Sequence, residues 1–575
     1  MKKTTVAEQL VQTLVAADVR RVYGVVGDSL NGITDAIRRS KEIEWVHMRH
    51  EEAGAFAAGA EAGLTNSLAV CAGSCGPGNL HLINGLFECH RSRVPVLAIA
   101  AQISTPEIGG GFFQETHPER LFQECSHYCE CISHPSQMPR VLEQAIQNAL
   151  GRRGVGVVVV PGDVALQPVE AVKPRLPALH MASVMRPTDD ELARAVTMIS
   201  ATRKITILGG VGCARAHDEV VQLAALLNAP IVHALRGKEH LEYDNPYDVG
   251  LTGFLGYASG YHAMMDCELL LMLGTDFPYQ QFYPDKAKVI QLDLRPEIIG
   301  RRTRVELGLV GDVRDTLRAL LPMLRPNSDR THLDKALKHY HDTRKNFSDQ
   351  AAAKPGRKPI HPQAVAQILS EMAAPDAIFT CDVGTPTIWA ARYLKMNGLR
   401  QLVGSFVHGS MASALAQAIG AQLAFPKRQV VAMAGDGGFA MLMGDFLSLK
   451  QLGLPVKVVI FNNSSLSFVE MEMKTAGLLN YGTELKNPNF ADLAESTGML
   501  GIRIEDPAEL RTGLQRALDY DGPALVDVVV NRQELSLPPH IQLHQALGMS
   551  LYMAKAVLSG HGDEVLDLAK TNLAH

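Results

Sequence analysis

Two stretches far apart in this chain follow one plan. "LAVCAGSCGPGNLHLINGLFECHRSRVPVLAIAA", from Leu68, and "QVVAMAGDGGFAMLMGDFLSLKQLGLPVKVVIFNN", from Gln429, each read as strand, glycine-rich turn and helix, followed by a proline, Pro95 or Pro455, that opens a further strand. Their neighbours agree as well. "VYGVVGDSLNGITDAI" parallels "IFTCDVGTPTIWAARYL", and "RHEEAGAFAAGAEAGL" holds the place of "HGSMASALAQAIGAQL". Alternating β and α patterns with glycine turns imply parallel sheets covered by helices on both faces. The spacing therefore predicts two related α/β domains, 1–175 and 355–531. Such sheets bind ligands beyond the carboxyl ends of their strands, so the two copies are expected to face a shared cleft.

Between them, 190–330 reads as a third βα unit, built from "ITILGGVG", "APIVHALRGK", "CELLLMLGTDF" and "KVIQLDLRP". Residues 176–189 and the proline-containing "AAAKPGRKPIHP" read as linkers. The tail, 532–575, continues as two short amphipathic segments split at "SGHG". The fold class expected is α/β: three doubly wound parallel-sheet domains, the first and third related by duplication.

A hydrophobic content of 46% supplies large cores, and a net charge of -5 with scattered Lys and Arg offers no basic face for nucleic acid. The N-terminal "MKKTTVAEQLVQTLVAADV" is interrupted by Glu8 and Asp18 and reads as a cytoplasmic amphipathic helix, not a leader. No apolar run approaches the ~18 residues that span a bilayer. The nine cysteines fit a reducing compartment. "CAGSC" and "CEC" lack a matching second pair and read better as core thiols than as metal ligands.

Two features point to chemistry. Glu51 and Glu52 open an alanine-rich helix, where the first turn favours negative charge whether or not a ligand is present. In "GDGG…FNN", Asp436 sits in a glycine turn at one strand end, and Asn463 follows the next strand after one intervening helix. Two neighbouring strand ends thus offer oxygens to one ion, and Mg²⁺ prefers hard oxygen ligands shared with phosphates. The N–H groups of the turn, at Gly437 and Gly438, supply the anion side.

With these motifs in place, the chain resembles the thiamin-diphosphate enzymes of the pyruvate oxidase and acetohydroxyacid synthase superfamily over essentially its whole length. "GDSLNG", "CAGSCGPGNLHLINGL", "HALRGKEHLEYDNPYDVG" and "GDEVLDLAKTN" are most similar to the quinone-dependent pyruvate dehydrogenase (pyruvate oxidase) branch. The resemblance implies thiamin diphosphate, Mg²⁺ and FAD as cofactors. It places Glu51 against N1' of the aminopyrimidine, with a raised pKa in an apolar pocket, and reads Glu52 as helix-start charge only. It also implies that Gly409 and Ser410 contact the cofactor and that Met411 bends it. Asp436, Asn463 and the Ser465 carbonyl would hold the metal. Gly437, Gly438, Ser464, Leu466, Ser467, Phe468 and Val469 would line the coenzyme, with Phe468, Val469 and Glu472 toward substrate. Phe113 and Gln114 would face the same cleft across a subunit boundary. Two departures stand out: Ser467 where glycine is common, which would be strained at positive φ, and Ala416 where proline is usual.

For FAD, the resemblance rests on Thr252, Gly253, Phe254 and Leu255, on Thr275, Asp276, Phe277, Pro278 and Tyr279, and on Asp293 as a ribose acceptor. "GGVG" alone is a weak signal. The activity implied is oxidative decarboxylation of pyruvate to acetate and CO₂, with electrons passing through FAD to ubiquinone. The rivals are an acetolactate-forming carboligase with a bystander flavin, a phosphate-dependent oxidase, and a non-catalytic copy of the fold. In the tail, Leu551, Ala554, Lys555 and Leu558, with Met553 and Val557, lie on adjoining helical faces. Composition favours a docked helix, since Asp563, Glu564 and Asp567 oppose an anionic lipid surface. The resemblance implies instead a peripheral, switchable lipid contact on the inner face of the cell membrane, and a homotetramer.

Overall fold

The computed structural model describes residues 3–175, 185–352, 358–534, 543–559 and 562–573. Of the expected linkers, 176–184 and 353–357 lie outside the described residues, as does 535–542 at the start of the tail.

Three six-stranded sheets form, each parallel throughout. The first contains β1 (Arg21–Gly24), β2 (Glu44–His47), β3 (Ala69–Gly73), β4 (Val96–Gln102), β5 (Tyr128–Cys131) and β6 (Val155–Pro161), in the order β2-β1-β3-β4-β6-β5. The central sheet contains β7 (Ile205–Gly209), β8 (Ile231–His233), β9 (Asp248–Leu251), β10 (Leu269–Leu273), β11 (Lys288–Asp293) and β12 (Leu307–Val310), in the order β9-β8-β7-β10-β11-β12. The last contains β13 (Ile378–Cys381), β14 (Gln401–Gly404), β15 (Val430–Gly435), β16 (Lys457–Asn462), β17 (Leu500–Ile504) and β18 (Ala524–Val529), ordered β14-β13-β15-β16-β18-β17. The first and third orders are the same, so the duplication in the sequence is a duplication of topology. β4 and β6 are buried at every position, because helices cover both faces and apolar runs replace the alternation of a half-exposed strand.

The helices that matter for the site are α1 (Glu51–Thr65), α2 (Pro77–Ser92), α3 (Ser413–Ala424), α4 (Asp436–Met441), α5 (Ser467–Thr475), α6 (Leu543–Leu558) and α7 (Gly562–Leu573). α1 and α3 occupy equivalent places in the two copies and pack on each other, so one apolar cluster runs unbroken from the first domain into the third. Their alanine density allows this approach: a Cβ on Gly420 would fall 2.0 Å from the Ala57 carbonyl oxygen. Ala416, in place of the family's proline, is a buried interior residue of α3, where alanine is the best helix former.

The tail is docked on the third domain. A Cβ on Gly548 would lie 1.9 Å from the Thr475 carbonyl oxygen, so α6 presses on the end of α5. Lys555 Nζ donates to the Gly477 carbonyl at 2.8 Å, and Asn572 Nδ2 donates to the Gln533 carbonyl at 2.9 Å. Tyr552 and Ala556 are buried in this contact, whereas Leu547, Leu551 and Leu558 stay exposed along one side. Among the described residues no helix is long and apolar enough to cross a membrane. The nine cysteines are free thiols.

Candidate functional site

The corner at the carboxyl ends of β15 and β16 gathers the expected metal ligands. Asp436 opens α4 and is buried, with the Gly437 N–H 2.9 Å from its Oδ1. The Ser464 N–H and Asn487 Nδ2 each donate to its Oδ2 at 2.7 Å. Asn463 Oδ1 accepts from the Ser465 N–H at 3.1 Å, while its Nδ2 donates to Ser467 Oγ at 2.7 Å. Burial pushes the Asp436 carboxyl above the ordinary carboxylate range, opposed by these N–H donors. Among the described residues no lysine or arginine pairs with it, so balancing its charge falls to a ligand. A hard cation fits this oxygen-rich set.

Above the corner there is room only because Gly437 has no side chain. A Cβ there would meet Leu466 Cδ2 at 2.9 Å, Leu485 Cδ1 at 3.2 Å and Met411 Cε at 3.4 Å. The structure thus places Met411, Leu466 and Leu485 around Gly437, next to Asp436. Gly409, at φ 86°, shapes the turn before Met411. The left-handed position after the metal corner is Ser464, at φ 54°, while Ser467 simply opens α5, so the strain expected at 467 does not arise. Phe468 packs against the core of the third domain, and Val469 and Glu472, on the same helix, are exposed.

Asp382, at the end of β13, went unnoticed in the sequence. Its Oδ1 accepts from the Ala414 N–H at 2.9 Å, capping α3 in place of Ala412, which has no side-chain acceptor. Its Oδ2 is buried without a partner, where a Cβ on Gly438 would approach to 2.3 Å. Burial pushes this carboxyl up to about 7. An acidic residue directly after a strand was the available signal. Asn487, in a loop without a motif, gave none.

Glu51 is buried at the head of α1, and His50 caps that helix by accepting from the Glu52 N–H at 3.2 Å. Its Oε2 lies 2.9 Å from His81 Nδ1, and the His81 ring stacks on His50 with centroids 4.3 Å apart. No hydrogen bond or ion pair joins Glu51 to the Asp436–Asn463 corner of its own chain among the described residues. Glu52 does more than charge a helix start: Asn84 Nδ2 donates to its Oε1 at 2.7 Å. Gln114, at φ 61°, packs against Gly76, and Cys75 Sγ reaches its Oε1 at 3.4 Å. Phe113 beside it is 76% exposed.

In the central domain the strand order reverses between β7 and β10, the place where nucleotides bind such sheets. Gly210 and Gly212 there press on Gly274, with Cβ atoms excluded at 2.6 Å in both cases. Thr252 is buried with its Oγ1 unpartnered, Gly253 stands at φ 95°, and Thr275 is buried beside Gly210. Phe254, Phe277 and Tyr279 form an edge-to-face cluster with centroids 4.7–5.4 Å apart. Burial raises the Asp293 carboxyl to about 7 against the pull of nearby Arg93. Asp293 also accepts from the Arg295 N–H at 3.1 Å and lies 3.4 Å from its Nε, while Asp276 is tied to Arg302 at 2.9 Å and Arg301 at 3.4 Å. An orphan hydroxyl, a left-handed glycine and a carboxyl poised to accept a ribose hydroxyl together fit a flavin nucleotide.

Duplicated parallel sheets, an acid heading a helix of the first copy and a GDG turn in the third domain define a cofactor-dependent α/β enzyme class. Three family descriptions match in order: thiamine pyrophosphate enzyme, N-terminal TPP binding domain over 4–121, central domain over 192–320, and C-terminal TPP binding domain over 382–528. The putative thiamine pyrophosphate-containing protein YdaP of Bacillus subtilis (strain 168) is 36% identical over 99% of both chains. The acetolactate synthase large subunit of Parasynechococcus marenigrum (strain WH8102) is 30% identical over 92% of this chain and 88% of its own. The pyruvate oxidase of Lactiplantibacillus plantarum is 28% identical over 91% of this chain and 88% of its own. The chain belongs to the thiamine pyrophosphate enzyme family and is an enzyme dependent on that cofactor, thiamin diphosphate.

Proposed function

We propose that the protein oxidises pyruvate and water to acetate and CO₂, with two electrons passing through FAD to ubiquinone. The observation that carries this reading is the carboxyl edge of the central sheet, where the unpartnered Thr252 hydroxyl, after β9, and the buried Asp293, ending β11, flank the nucleotide-binding switch point between β7 and β10. The likeness to pyruvate oxidase supports it. When bound, thiamin diphosphate supplies the electron sink for decarboxylation and FAD the two-electron acceptor. Asp436, Asn463 and the Ser465 carbonyl would hold Mg²⁺, which would supply charge balance for the diphosphate. Glu51 holds a proton at N1' of the aminopyrimidine, and positioned proton transfer of this kind is worth ~10²–10⁴ in rate. Met411 and Leu466 shape the floor under the coenzyme, and Phe113 and Gln114 close the cleft against water.

A second copy supports the site. Val26, Leu80, Phe113, Met441 and Val469 are exposed, and all follow carboxyl ends of strands in the two related domains. Covering them would bring the Glu51 of one chain to the metal corner of another, within a homotetramer. The stripe Leu547, Leu551 and Leu558 is the surface offered to lipid at the cytoplasmic face of the membrane.

Anaerobic mixing with pyruvate in a stopped-flow spectrometer tests the reading. Bleaching of the flavin band at the rate of turnover is the expected result. An unchanged spectrum accompanied by acetolactate would replace oxidation by ligation, the reaction named for the synthase relative. Acetyl phosphate formed only when phosphate is present would make the enzyme a phosphate-consuming oxidase.

A further inference from the structure

The turn from Ser405 to Ala412 has little regular structure of its own, with Gly409 at φ 86° and Ala412 at φ 64°. What holds it comes from the first domain. Asn84, on α2, donates through Nδ2 to Ser410 Oγ at 2.9 Å and to Glu52 Oε1 at 2.7 Å. Its Oδ1 pairs with His408 Nε2 at 2.9 Å, and the His408 ring stacks on Phe87, one turn along α2, at 5.6 Å. Burial lowers the His408 pKa, which favours the neutral ring with its proton on Nε2. Glu88, one turn beyond Asn84, bonds the buried Ser405 hydroxyl, which in turn accepts from the Ser410 N–H at 2.9 Å.

Asn84 thus uses both amide protons and its carbonyl at once, on three partners. Aspartate in its place has no amide protons and would set a second carboxylate against Glu52. Alanine would leave the Ser410 hydroxyl and the Glu52 carboxylate short of a donor.

Resting on the reading above, we propose that Asn84 is a positioning residue for the coenzyme. It ties the helix start that carries Glu51 to the turn that carries Gly409, Ser410 and Met411, and so sets the shape in which that turn receives the rings of thiamin diphosphate. Among the described residues no other side chain joins the two elements through three such bonds.

The test is calorimetric titration of full-length apoprotein with thiamin diphosphate and Mg²⁺, on wild type, Asn84→Ala, Ser410→Ala and the double variant. Asn84→Ala is expected to weaken binding by about 10-fold or more, as loss of a hydrogen bond to a charged group does. Ser410→Ala should weaken it less, and the double variant should match Asn84→Ala, since both remove one linkage. Near-ultraviolet circular dichroism of the bound aminopyrimidine should change in Asn84→Ala at saturating cofactor, which loss of fold stability alone would not produce. Binding within twofold of wild type in Asn84→Ala, or strictly additive effects, would overturn the proposal. Should Asn84→Ala fail to fold, Ser410→Ala with a wild-type melting temperature decides by the same criterion of affinity and dichroism. Wild-type protein that takes up no thiamin diphosphate would remove the functional reading itself, and the role of Asn84 with it.

Discussion

The first and third domains share one strand order, yet they spend the same loop on different work. After β15 the third domain has Asp436, whose charge no cationic side chain among the described residues neutralises, and after β16 it has Asn463. After β3 the first domain has Ser74 and Cys75, and β4 ends on Gln102, whose Nε2 donates to the Thr116 carbonyl at 2.7 Å and whose Oε1 accepts from the Ile103 N–H at 2.9 Å. One pair of strand ends is left open to a ligand, and the other satisfies itself. The first domain instead presents its acid at the head of α1. The difference teaches that the duplicated sheet supplies placement, and a few side chains at its carboxyl edge decide which copy keeps a buried carboxylate without a cationic partner among the described residues; on the proposed reading, that copy meets metal and the other the coenzyme ring.

Four experiments would break or sharpen that contrast. Glu51→Gln is expected to lower kcat by on the order of 10²–10⁴ with thiamin diphosphate and FAD still bound, as measured by steady-state rates beside cofactor content. Retained turnover would take the ring acid away from the first copy. Asp436→Asn should weaken Mg²⁺-dependent cofactor binding by on the order of 100-fold or more, while Ser74→Ala at the matching turn leaves it within twofold, both by titration of apoprotein. Equal losses would erase the division of labour. Gly420→Ala should lower stability by about 1–3 kcal/mol through overpacking against Ala57, read by denaturant unfolding. No change would mean that the α1–α3 seam can yield.

The fourth concerns pH. The Asp382 carboxyl, raised by burial to about 7 from 3.8, keeps its proton in the folded protein where the unfolded chain has lost it. Stability from this group is therefore full below pH 3.8 and falls as pH rises toward 7. Asp382→Asn should flatten that part of the apoprotein's melting temperature against pH, and an unaltered slope would place the proton elsewhere. Asp28, exposed four residues past the end of β1 in the first copy and accepting from the Ser29 N–H at 2.7 Å, serves as the surface control.

Much of this was legible before any coordinates. Uninterrupted β-branched runs such as "VGVVVV" announced strands buried on both faces, and paired glycine turns announced the duplication. Asp436 and Asn463 could be singled out because strand ends in such sheets are local in sequence, whereas Met411 rested on the family resemblance. The rest was not legible for physical reasons. Asp382 caps a helix that begins at Ser413, Asn487 reaches back to Asp436, and Asn84 holds Ser410, each across a separation that no local pattern encodes. Glu52 read as helix-start charge because its partner lies on another helix.

The sequence by itself determined the three parallel-sheet units, the duplication of the first in the third, and the side-chain oxygens at two neighbouring strand ends, since periodicity and glycine turns act over a few residues. Only the tertiary structure decided which polar groups are satisfied and which are left for a ligand. That depends on burial and on partners brought in from distant segments, which is why Gln102 is closed and Thr252 is open although both are buried polar residues at or just past strand ends.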